Sequence, residues 1–64
     1  MKSLTDLQKY VLVTMRHRGL HWIADETEKC WKRGQTYYID RRVGKAKGIR
    51  RAFNKANKQA LQVQ

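Results

Sequence analysis

The sequence predicts a mainly α-helical fold, a small three-helix domain of helix-turn-helix-like layout with a short β-prone or wing-like segment between the second and third helices. Three observations carry this expectation. Apolar residues recur at spacings of three and four in separate stretches, glycines at 19, 34, 44 and 48 punctuate them, and no proline interrupts any of them. At 64 residues the chain makes a single domain, residues 1–64. So short a chain buries only about 60% of the surface its unfolded form exposes, so its core is thin.

The first helix is predicted from Ser3 to about Arg18. Ser3 or Thr5 can cap it, Thr5 with Gln8 matches a capping box, and Asp6 sits where the helix dipole favours an anion. Leu4, Leu7, Val11 and Met15 form the inward stripe, and Arg16, His17, Arg18 and then Gly19 suit a C-terminus. The run Tyr10 to Thr14 is rich in strand formers and competes with this reading.

The second helix is predicted from His21 or Trp22 to Arg33. Asp25, Glu26 and Glu28 come early, Lys29, Lys32 and Arg33 come late, and Gly34 follows, the charge order a helix dipole prefers. Ile23, Thr27, Cys30 and Trp31 make its buried stripe, with Leu20 and Trp22 packing at its entry.

Residues 35–40 change character. Tyr37 and Ile39 alternate with Thr36 and Tyr38 in the period-two manner of a half-buried strand, which leaves Tyr38 as the outward ring. A lone strand leaves its backbone unpaired. Two outcomes follow: pairing with residues 20–23 in a small wing, or an extended connection lying across the helices.

The third helix is predicted from about Lys45 to Leu61. Ile49, Ala52, Phe53, Ala56 and Ala60 share a narrow apolar sector that Val63 would extend, while Arg50, Arg51, Lys55 and Lys58 fall on the far side with Asn54 and Asn57 beside them. The expected core is Leu4, Leu7, Val11, Met15, Ile23, Trp31, Ile39, Phe53 and Ala56.

Charge points to function. Fifteen Lys and Arg oppose five acids, for a formal net charge of +10, and no acid follows Asp40. Self-repulsion on this scale opposes folding unless a polyanion relieves it. An ordinary surface helix mixes Glu with Lys, because like charges four residues apart cost a few tenths of a kcal/mol. The third helix has no acid at all, so its cations are expected to meet phosphate. Arg41, Arg42, Lys45 and Lys47, interleaved with Gly44 and Gly48, extend that expectation to the segment before it, where small residues let backbone approach phosphate closely. Asn54 is a candidate for reading a base edge, as is Asn57 beside it, and Tyr38 for stacking on a base or bonding a phosphate.

Other chemistries find little footing. The segment lacks the GxxxxGK[ST] spacing of a phosphate-binding loop. His17, His21 and Cys30 have no metal-ligand spacing, because Gly19 interrupts the histidines, and a closed zinc site wants four ligands. No metal, cofactor or catalytic residue is expected, and the chain is not read as an enzyme. Cys30 lacks a partner for an internal disulfide, which suits a reducing compartment. No apolar run approaches the ~18–20 residues of a membrane span, and no signal-peptide core follows Met1-Lys2-Ser3, so the expected setting is cytoplasmic and nucleoid-associated if DNA is the partner.

The leading function is therefore a small DNA-binding regulatory or architectural protein, of a brevity and charge that suit a bacterial or phage accessory factor. The alternatives are RNA binding through the same basic helix, and inhibition of another protein by docking on an acidic patch. Oligomeric state and target sequence leave no mark in the composition.

Overall fold

The computed structural model describes residues 3–62. Three helices, α1 (Asp6–His17), α2 (His21–Lys32) and α3 (Arg50–Ala60), surround one core, and a one-turn 3-10 helix at Gly44–Ala46 precedes α3. Among the described residues there is no strand. Val63, expected to extend the last apolar sector, lies outside the described residues.

Helix α1 begins where its capping box predicts. Thr5 Oγ1 accepts from the Gln8 N–H at 3.1 Å, and Gln8 Oε1 accepts from the Thr5 N–H at 2.9 Å. The strand formers at 10–14 stay helical because Val11, Leu12 and Met15 are all buried there. The inward stripe is Gln8, Val11, Leu12 and Met15, so the expected stripe is rotated, with Leu4 and Leu7 only half-buried against it. The cause is Gln8. Although polar, it is 2% exposed, because its amide also donates to the Ala56 carbonyl at 3.1 Å and so ties α1 to α3.

Helices α1 and α2 end alike. After α1 the Gly19 N–H bonds Arg16 O and the Leu20 N–H bonds Met15 O; after α2 the Gly34 N–H bonds Trp31 O and the Gln35 N–H bonds Cys30 O. Both are Schellman closures, and both put glycine at positive φ, 81° and 76°, where a Cβ is strained. On α2, Ala24, Thr27 and Trp31 are buried, with Ile23 and Cys30 at the margin. Thr27 Oγ1 donates to the Ile23 carbonyl at 2.7 Å, which satisfies its buried hydroxyl. Trp31 and Phe53 meet at the centre of the core, ring centroids 5.4 Å apart and planes at 43°.

Three further expectations need correction. Leu20 packs at the entry of α2, but Trp22 does not: it is 70% exposed. Helix α3 starts at Arg50 rather than near Lys45: Gly48 takes φ 91°, a left-handed conformation through which an α-helix does not continue, so the turn at Gly44–Ala46 stands apart from α3. The wing is not formed either. Residues 20–23 enter α2, so residues 35–40 have no strand to pair with and cross the helices as an extended strap, which turns at 41–42 where the Val43 N–H bonds Asp40 O at 3.0 Å. The alternation survives without the strand: Tyr37 is half-buried, Tyr38 is 76% exposed and Ile39 is buried.

Candidate nucleic-acid interface

Most described acids are already engaged. Arg16 donates to Asp25 and to Glu28, both at 2.9 Å; Lys32 also meets Glu28 at 2.9 Å, Lys29 lies 3.9 Å from Glu26, and Arg42 bonds Asp40 at 2.9 Å. The hydrogen bonds from Lys32 and Arg16 hold the Glu28 carboxyl below its ordinary range. Those from Arg42 do the same for Asp40. Arg16 is pushed up in turn, chiefly by its bond to Asp25. The flank built from α1 and α2 is thus nearly self-neutralised.

The outward side of α3 is different. Arg51, Asn54, Lys55 and Lys58 recur at helical spacing and line one shallow depression. Among the described residues no carboxylate lies within ion-pair distance of these three cations. Arg51 and Lys55 stand four apart, so the folded chain holds like charges together.

The edge of α3 that faces the strap does structural work. The Asn57 side chain accepts the Tyr37 N–H at 3.0 Å and donates to the Tyr37 carbonyl at 2.8 Å, and its oxygen also takes the Trp31 indole N–H at 2.7 Å. Asn57 is therefore committed to the fold, not to a base edge. Two turns earlier, Arg50 donates to the carbonyls of Ile39 at 3.4 Å, Asp40 at 2.9 Å and Val43 at 3.2 Å. Carbonyls orient its guanidinium without cancelling its charge, so Arg50 remains a fixed positive centre at the foot of α3. Part of the strap's unpaired backbone, the difficulty raised by a lone strand, is met by these two side chains: the Tyr37 N–H and the carbonyls of residues 37, 39, 40 and 43.

The other expected contact residues divide further. Arg41 is exposed with no carboxylate partner among the described residues, whereas Arg42 is folded onto Asp40, through its backbone N–H at 2.8 Å and its guanidinium Nε and Nη2. Lys45 and Lys47 are exposed but off α3. Their carbonyls accept from Arg18 Nη1, at 3.3 Å for Lys45, and the Lys45 ammonium lies beside Gly19. They form a second basic cluster with Arg18, at the α1–α2 turn. Arg18 reads in the sequence only as a helix C-terminal residue, so this link has no local signature. Tyr38 is exposed at the edge of the strap.

The three helices contain no span long and apolar enough to cross a membrane among the described residues. Nor do three His, Cys, Asp or Glu side chains converge there as metal ligands. Compared with known proteins, the chain matches no family model, no curated protein and no solved structure.

Proposed function

We propose that this chain is a small DNA-binding protein that lays the outward face of α3 on duplex phosphates. One observation carries the reading. Among the described residues, Arg51, Lys55 and Lys58 line a common depression without a carboxylate near them, whereas Arg16, Lys29, Lys32 and Arg42 are paired with acids. Clustered like charge stores repulsion in the free protein, and a phosphate backbone relieves it while releasing condensed counterions. Arg41 and the fixed charge of Arg50 extend the positive field toward the strap.

The layout also supports a choice of helix. In a helix-turn-helix arrangement the second helix commonly enters the groove. Here the acids of α2 pair with Arg16, Lys29 and Lys32 and leave that helix little unpaired positive charge, so α3 is the helix suited to the duplex.

A titration followed by NMR tests this reading. Duplex DNA is expected to shift the resonances of Arg51, Asn54, Lys55 and Lys58, with the shifts shrinking at raised salt. A hairpin RNA that shifts the same residues more strongly at matched salt would transfer the interface to RNA. Shifts confined to α1 and α2 would refute the assignment.

A further inference from the structure

Between the strap and α3 lies a cavity of about 340 Å³, walled by Tyr38, Ile39 and Arg41 on one side and by Phe53 and Asn54 on the other. We propose that this slot takes a single unpaired nucleobase of the DNA held on the adjoining face. The inference rests on the function proposed above.

The slot exists because of how the strap is fastened. Asn57 ties it at Tyr37 and Arg50 ties it at residues 39–43, and these anchors are two helical turns apart, about 10 Å along α3. Between them the strap stands off the helix surface over Phe53 and Asn54. Its volume is near the small end of ligand pockets, which run from ~300 Å³. Both walls combine an apolar floor, from Ile39 and Phe53, with polar groups at the rim.

Four features match a base. Tyr38 keeps its ring 76% exposed, an aromatic face left unstacked in the free protein. The exposed Asn54 amide suits the paired donor and acceptor of a base edge. Asn54 also lines the cationic depression of Arg51, Lys55 and Lys58, so slot and phosphate face are continuous. Arg41 at the slot and Arg51 beyond Asn54 place positive charge on both sides, as the phosphates flanking an extruded nucleotide require.

The test compares two duplexes, one fully paired and one identical but for a single unpaired adenosine, by fluorescence anisotropy at fixed salt. The native chain should bind the interrupted duplex at least about fivefold more tightly, the lower end of what base–aromatic stacking yields. In Tyr38→Ala the ratio of the two affinities should fall to near one, and in Tyr38→Phe it should persist. Equal affinities for the native chain, or a preference that survives Tyr38→Ala, would overturn the slot while leaving the phosphate face standing. Failure to bind either duplex would remove the proposed function itself, and the slot with it.

Discussion

Asn57 holds Tyr37 as a neighbouring strand would, taking its N–H and giving to its carbonyl, while the same amide oxygen anchors the Trp31 indole. One side chain on α3 thereby fixes the strap and the central aromatic of the core. Asn57→Ala leaves three polar groups without their partners. At about 1 kcal/mol for each partly buried group, the loss should be about 3 kcal/mol. Urea denaturation measures it, and a midpoint equal to the native one would show that the strap is held by other means.

Arg50 and Arg51 are neighbours with opposite roles. Arg50 is bound to three strap carbonyls, whereas Arg51 faces outward among cations. Arg50→Ala should lower thermal stability and loosen the strap. Arg51→Ala should leave stability unchanged or raise it, because a like charge is relieved. Thermal melts of the two variants check this, and equal destabilisation would mean that Arg51 is not free of the fold.

The α1–α2 flank predicts a pH dependence. The folded-state pKa of Glu28 is depressed by Lys32 and Arg16, so its contribution is present above the ordinary glutamate value of ~4.3 and is lost as pH falls through the lower folded value. Melting temperature should therefore drop on acidification below about pH 4.3, and Glu28→Gln should flatten that drop. The side chains of these pairs are 28–37% exposed, so solvent screens them and the effect is small. An acid limb of equal steepness in the variant would place the sensitivity elsewhere.

Much of the fold is written locally. The Thr5 and Gln8 box, the glycines after α1 and α2, and the apolar sector holding Phe53 and Ala56 each depend on spacing within one turn or two, which sequence displays. The outward group of Arg51, Asn54, Lys55 and Lys58 was legible for the same reason. Polar residues that face inward were not. Gln8, Arg50 and Asn57 have the composition of surface residues, and only partners 48, 7 to 11 and 20 to 26 positions away turn them inward. The segment before α3 was misread because Lys45, Ala46 and Lys47 are good helix formers. The left-handed turn at Gly48 overrides that propensity.

Salt dependence of duplex binding tests the central claim most directly. If Arg41, Arg51, Lys55 and Lys58 meet phosphates, log K should fall against log salt with a slope near −3.6, at about −0.9 per contact. Arg51→Ala with Lys55→Ala should reduce that slope to about −1.8. A slope in the double variant equal to that of the native chain would contradict the account, since the face of α3 would then carry none of the binding.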